Sequence, residues 1–347
     1  MRVLVTGAAG FIGSTITDLL RDRGHEVVAV DMLLDQAHHR RPDWVGSDLK
    51  LTDVRDESAL TPLLEGVDAV CHQAAMVGLG VTIHDAPAYA SHNVVGTAAV
   101  VSAMTRVGVT RLVQASSMVV YGSGRQLCPE HGDVQTRPRS GDDLAAGRFE
   151  PCCLLCGAAV SWGLVGEDAR LDPRNAYAAT KLAQEHLVTA WTEQAEGRAV
   201  SLRYHNVYGP RMPRNTPYAG VASIFRSALA AGKPPLVYED GGQMRDFVDV
   251  RDVARANLTA LESLGTAQPG HRVYNVASGE PHTVLDLAAT LAHETGGPDP
   301  VVVGGGRPGD VRHIVADPSR IRRELGFAAE VGFEDGMRHL AAAPMRP

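Results

Sequence analysis

Within its first thirteen residues the chain runs from a β-branched stretch, Arg2-Val3-Leu4-Val5-Thr6, through Gly7-Ala8-Ala9-Gly10-Phe11-Ile12-Gly13 into a helical pattern. Glycine lets the backbone turn left-handed and lie close to a phosphate or a neighbouring strand. The helix start behind it offers unpaired amides to negative charge. A plain tight turn would show the same pattern. Two features favour dinucleotide binding: the turn joins a strand to a helix, and Asp31 follows 18 residues after Gly13 at the end of the next strand. A carboxylate there accepts hydrogen bonds from the adenosine ribose hydroxyls and repels a 2′-phosphate, so NAD is expected rather than NADP. The run His38-His39-Arg40-Arg41 could be argued as a phosphate site, but a solvated loop is expected.

The rest of the chain continues this rhythm. Strands are expected at Val3–Thr6, Val27–Val30, Ala69–His72, Leu112–Ser116 and Val200–Tyr204, with helices at Phe11–Arg23, Glu57–Leu64, Tyr89–Val107 and Asn175–Ala195. In the last of these, Leu182, His186, Leu187 and Ala190 share a face. Such alternation predicts an α/β fold, a doubly wound parallel Rossmann sheet, over residues 1–204. It is interrupted between 123 and 171 by an insertion rich in Pro, Gly and Cys. Residues 205–347 are expected to form a smaller C-terminal substrate domain, with the chain rejoining the first sheet near 245–278 through Arg272–Val276. Further helices are expected at Val250–Ser263, Thr283–Thr295 and Pro318–Leu325.

Composition removes several function classes. With 33 Lys+Arg against 40 Asp+Glu and 5% aromatic residues, the chain lacks the basic surplus that nucleic-acid binding needs. No apolar stretch approaches the ~20 residues of a membrane-spanning helix. The first strand leaves no room for a signal peptide, so a cytoplasmic location is expected. Five cysteines argue against a disulfide framework. Cys71, within an apolar strand, reads as core.

A second constellation is Tyr177-Ala178-Ala179-Thr180-Lys181, with Ser117 upstream at the end of a strand. Residues four apart share a helix face. An ammonium beside a phenol lowers its pKa toward the working range and makes Tyr177 a usable proton acceptor. With Gly7, Gly10 and Gly13, this set resembles the extended short-chain dehydrogenase/reductase superfamily, in its nucleotide-sugar epimerase/dehydratase branch. The likeness continues through Asp53-Val54, His72-Gln73-Ala74-Ala75, Asn93-Val94-Val95-Gly96-Thr97, Ser116-Ser117-Met118-Val119-Val120-Tyr121-Gly122, Arg203-Tyr204-His205-Asn206-Val207-Tyr208-Gly209-Pro210, Arg245-Asp246-Phe247-Val248 and Arg307-Pro308-Gly309-Asp310. It implies a cofactor site of Gly7, Gly10, Phe11, Ile12, Gly13, Asp31, Asp53, Val54, Ala74, Ala75, Asn93, Tyr177 and Lys181. It further implies catalysis by Ser117, Tyr177 and Lys181, and substrate binding by Ser117, Asn206, Val221, Tyr238, Arg245 and Arg307. It also implies a homodimer built on the helices at Tyr89–Val107 and Asn175–Ala195. His205 stands where the family has Phe and is expected to pack beneath the neighbouring loop. A narrower likeness, to the dTDP-L-rhamnose 4-epimerase type, rests on the insertion and on the loop Asn215-Thr216-Pro217-Tyr218-Ala219-Gly220-Val221.

Inside the insertion, Cys128-x-x-His131 and Cys153-x-x-Cys156 have the ligand spacing of a Cys₃His structural zinc site, each followed by a glycine. With four protein ligands, no position remains for a catalytic water. Cys152 blurs the assignment, and a metal-free loop with free thiols is the alternative.

Together these residues predict NAD-dependent 4-epimerisation of a nucleotide-linked hexose through a 4-keto intermediate. The rivals are a 4,6-dehydratase or reductase of the same family and a nucleotide-sensing protein without turnover. The last predicts loss of the Tyr/Lys pair, which is present. In the 4,6-dehydratases that the chain resembles, the segment before the Tyr-Gly pair supplies proton-exchanging groups, and there this chain has Met118 and Val119.

Overall fold

Along the first strand Val3 and Val5 pack into one buried cluster while Leu4 packs into another, so side chains alternate between two covered faces. A computed structural model describes residues 1–35, 37–38, 40–78, 83–214, 220–306 and 310–344. Its main sheet contains β1 (Arg2–Thr6), β2 (Glu26–Asp31), β3 (Lys50–Leu51), β4 (Ala69–His72), β5 (Arg111–Ser117), β6 (Arg198–Tyr204) and β7 (Gly270–Val276). The order is β7-β6-β5-β4-β1-β2-β3, parallel throughout. The chain reverses its winding direction between β1 and β4, and a crevice opens there at the carboxyl ends of the strands. This is the expected doubly wound α/β sheet.

One face is covered by α1 (Phe11–Asp22), where Ile16 and Leu20 meet Val3 and Val5, together with Val253 and Leu261 from a helix at Val250–Ser263. The other is covered by α2 (Gly96–Val107) and α3 (Ala176–Gln194), through Val100, Met104, Val188 and Trp191. The expected single helix over Tyr89–Val107 is three pieces: an α-turn at Ala86–Tyr89, a π-helical stretch at Ala90–Val95, then α2. The wider π turn places Asn93 inward.

Three smaller sheets surround this core. Asn206–Tyr208, Met244–Asp249 and Pro281–Thr283 form one, and Leu236–Tyr238 with Val301–Gly304 another. The third joins the insertion strands Gly132–Val134, Arg125–Cys128 and Ser161–Val165 to Val315–Ala316 from the far end of the chain. The insertion is thus stitched to residues it lies far from in sequence.

Candidate active site

The crevice holds a cavity of about 340 Å³ lined by Gly7, Gly10, Phe11, Ile12, Gly13, Asp31, Val54, Ala74, Ala75, Tyr177 and Lys181, among others. Its glycines are sterically required. A Cβ on Gly13 would lie 2.0 Å from the Gly7 carbonyl oxygen, and one on Gly7, which turns at φ 67°, would lie 2.8 Å from the Ala74 nitrogen. Gly10 caps α1 without any side-chain hydrogen bond, and the first turn carries no acidic residue. Free amides therefore face the cavity, which fits a pyrophosphate. Asp31 ends β2 with its carboxylate accepting from the Ala9 amide at 3.0 Å and the Leu33 amide at 2.8 Å, which aims it at the cavity wall. These residues fit a dinucleotide with an unphosphorylated ribose. The solvated loop expected at 38–41 needs correction, because His38 is buried, lines the cavity and lies 4.0 Å from Asp31. Arg40 and Arg41 are exposed, and His39 lies outside the described residues.

Asn175 starts α3 by accepting from the Ala178 amide at 2.8 Å. That cap puts Tyr177 in the first turn and Lys181 one turn later, both toward the end of β5. The Ser117 hydroxyl hydrogen-bonds the Tyr177 phenol, joining the two expected catalytic hydroxyls. Lys181 is buried and donates to the Ala115 carbonyl at 2.9 Å. Burial pushes the Tyr177 phenol up to about 12, and the Ser117 hydrogen bond opposes this. Burial pushes Lys181 itself down to about 8.

Several residues taken from the resemblance do not line this cavity. Asp53 does not line the cavity, because Arg55 two residues on holds both its oxygens at 2.9–3.0 Å through Nε. Asn93 braces instead of lining: its amide group pairs with both backbone groups of Met76 at 2.8 and 3.0 Å and with Thr180. Arg245 does not project an open guanidinium. It donates to the carbonyls of Met244, Arg312 and Val311 at 2.8, 2.9 and 2.6 Å, and burial pushes it down to about 10. The Tyr238 side chain is half exposed and away from the cavity. Asn206 stands beside Met118, its amide 3.5 Å from the Met118 sulfur. Val221 opens a helix whose Gly220 cap lines the cavity, with no side chain closing its end. Arg307 and the loop residues 215–219 lie outside the described residues. His205 is buried, as expected for packing, and burial pushes its imidazolium down to about 3.

The profile of the NAD dependent epimerase/dehydratase family matches residues 3–142 and 163–277. This chain belongs to that family. It is 33% identical to a dTDP-L-rhamnose 4-epimerase from Burkholderia thailandensis, over 98% of this chain and 93% of the relative. A UDP-glucose 4-epimerase from Thermus thermophilus, solved with NAD, superposes with a TM-score of 0.76 at 30% identity, covering 98% of both chains. A dTDP-glucose 4,6-dehydratase from Streptomyces venezuelae, with NAD bound, gives 0.76 at 26% identity, covering 98% of this chain and 96% of its own. The stretch 143–162 that the family profile skips falls inside the insertion.

Two polar networks hold this cavity in place, and only fragments of them were visible as motifs. Thr6 accepts from the amides of Gln73 and Ala74 at 3.1 Å, so its own proton goes to His72 Nδ1 at 2.7 Å. His72 Nε2 then donates to Thr97 at 3.0 Å, which also receives Gln184 of α3. Burial pushes the His72 imidazolium down to about 3, which suits this neutral tautomer. On the other side Arg203 grips Glu185 of α3 at 2.9 and 2.7 Å and donates to the Tyr121 hydroxyl at 2.9 Å. A polar pair at the end of β6 and in the middle of α3 was the available signal.

Away from the cavity, Cys128, His131, Cys153 and Cys156 place one ligand-type atom each within 4.8 Å of the others. Cys71 is buried in the sheet as expected.

Proposed function

We propose that this protein interconverts the C4 epimers of a nucleotide-linked hexose, with NAD as a resident cofactor and a dTDP-L-rhamnose-like sugar as the substrate type. The observation that carries this reading is the Ser117–Tyr177 hydrogen bond beside Lys181, at a cavity whose other walls are the glycine turn and Asp31. When bound, NAD supplies the acceptor and donor of the C4 hydride and a cationic ring in the cavity. Tyr177 takes the proton of the 4-hydroxyl as that carbon is oxidised and returns it when the ketone is reduced from the other face. Ser117, bridging to the phenol, orients the hydroxyl. In this reading Asn206, beside Met118, and the open helix end at Val221 hold the nucleotide part, with Arg307 as a further cation. A positive charge near the phenol is what makes it basic, since burial alone keeps its proton on.

Epimerisation is favoured over dehydration by Met118 and Val119, which open the short helix Met118–Tyr121 directly after Ser117. Neither side chain can take a proton from C5 or give one to a leaving 6-hydroxyl. Purified protein incubated with a panel of nucleotide-sugars in deuterium oxide should give the 4-epimer by NMR, without added NADH and without deuterium at C5. A 4-keto-6-deoxy product would establish the dehydratase instead.

The protein is also proposed to be a homodimer. Leu187 and Ala190 of α3 stay only partly buried in the single chain, a small apolar face that a second copy would cover. Sedimentation at micromolar concentration should give twice the chain mass, and a monomer would overturn this.

A further inference from the structure

The cysteine end of the insertion has a very small apolar core: Cys128, Cys153 and Val160, with Val134 against them, while Val165, Ala169 and Leu171 pack at its base on Val120, Tyr121 and Ile314. So small a cluster does not hold that end in place, and segments of this kind are fixed by a cross-link or a metal. No disulfide is present among its cysteines. A tetrahedral zinc with sulfur ligands at ~2.3 Å and nitrogen at ~2.0 Å has ligand-to-ligand edges of about 3.5–3.8 Å. Cys128 Sγ lies 3.5 Å from His131 Nδ1 and 3.6 Å from Cys156 Sγ, and Cys153 Sγ lies 3.8 Å from His131 Nδ1.

A second observation is independent of those edges. The Cys153 sulfur receives the backbone amide of Leu155, two residues on, at 3.4 Å. An amide turned onto sulfur stabilises thiolate charge, and an uncharged thiol in a loop has no need of it. The turns close through Gly132 at φ 67° and Gly157 at φ 76°. Cys152, whose place was ambiguous in the sequence, is exposed, with its sulfur 3.9 Å from the Glu150 carbonyl.

We propose that Cys128, His131, Cys153 and Cys156 bind one structural zinc ion, and that this ion fixes Glu150 against Arg312 and so sets the position of Arg245. Binding displaces three thiol protons to solvent and leaves no open coordination position. Glu150, three residues before Cys153, accepts from Arg312 Nε and His313 Nε2, both at 2.9 Å. Arg312 is buried and also meets Glu239 and Asp240 at 2.8 Å, while Arg139 of the insertion closes on Glu239 at 2.8 Å. The carbonyls of Val311 and Arg312 hold the Arg245 guanidinium. A continuous polar path therefore runs from the four ligands to that arginine. Arg245 is one of the substrate-binding residues that the family resemblance implies, so the last step of the path bears on catalysis only if the proposed function holds.

The full-length protein should carry about one zinc by elemental analysis. After chelation, cobalt(II) should restore thiolate charge-transfer bands and the intense bands of a tetrahedral site. Cys153→Ser and Cys156→Ser should lose them, and Cys152→Ser should keep them. Wild-type protein that gives no such bands overturns the metal site, whatever the variants do. These readouts do not depend on turnover, so a wrong sugar would leave them intact. For the second half, metal-free enzyme and Glu150→Gln should both raise KM for the nucleotide-sugar several-fold with kcat little changed and NAD affinity unchanged. An unchanged KM overturns the link to Arg245.

Discussion

Around Gly7 to Gly13 and Tyr177, backbone packing sets position: seven parallel strands, a turn with no room for a Cβ, and a capped helix carrying the phenol. In residues 125–165 the same task falls to thiols, an imidazole and ion pairs reaching to Glu239 and Arg312. The first region derives its order from burial of apolar side chains on both faces of a sheet. The second derives it from polar cross-links over a cluster of a few side chains. The crevice should therefore tolerate chelators and salt and be sensitive to one added methyl group, while the insertion should behave in the opposite way.

The sharpest break in the comparison is Tyr177→Phe. It removes the proton acceptor and leaves the sheet untouched, so turnover should fall by roughly 10²–10⁴ while NAD binding in a fluorescence titration stays near wild type. Acid comes next. His72 and His205 are buried in the sheet region, with folded values near 3 against an ordinary 6.5. Below pH 6.5 the unfolded chain binds protons that the folded chain refuses, so stability present above that value is lost as pH falls. Urea melts should show a loss of about 2 kcal/mol per histidine at pH 5. Third, Gly13→Ala should destabilise by about 3 kcal/mol and abolish NAD binding, because its Cβ meets a carbonyl at 2.0 Å. Gly157→Ala in the insertion has open space around it and should cost only about 1 kcal/mol, from its left-handed φ of 76°. Equal melting shifts for the two would remove the distinction between the regions. The smallest effect is Asp31→Ala, which should narrow the preference for NAD over NADP by about tenfold, or 1.4 kcal/mol, in paired binding titrations.

What was legible in the chain follows the same division. The strand at Ala69–His72 and the helix at Val250–Ser263 were read to the residue, because apolar alternation and its 3.6-residue counterpart report burial directly. The buried face of α3 was not legible: the shared face of Leu182, His186, Leu187 and Ala190 was visible, yet the buried side includes Ala178, Lys181, Gln184, Glu185, Val188 and Trp191. Polar residues with dedicated partners are invisible to a hydrophobic pattern. Arg245 illustrates the same limit, since its three carbonyl partners include residues 66 and 67 positions away. The ion pairs between Arg139, Glu239, Arg312 and Glu150 join positions up to 162 apart, and no local spacing announces them. The metal-ligand spacing was visible because its two halves are each local.

The position of β7 bears on how the protein is made. Until residue 276 of 347 has been synthesised, β6 is the outer strand of the sheet, with Arg198–Tyr204 offering an open row of backbone donors and acceptors. Such a row recruits strands from other chains as readily as its own. The segment between the two strands takes roughly 3 to 13 s to emerge at about 5–20 residues per second, so each nascent chain passes through an adhesive interval on the ribosome. Truncations ending before Gly270 never leave that interval, and they should collect in the insoluble fraction or on chaperones even though the whole cofactor crevice has already been translated.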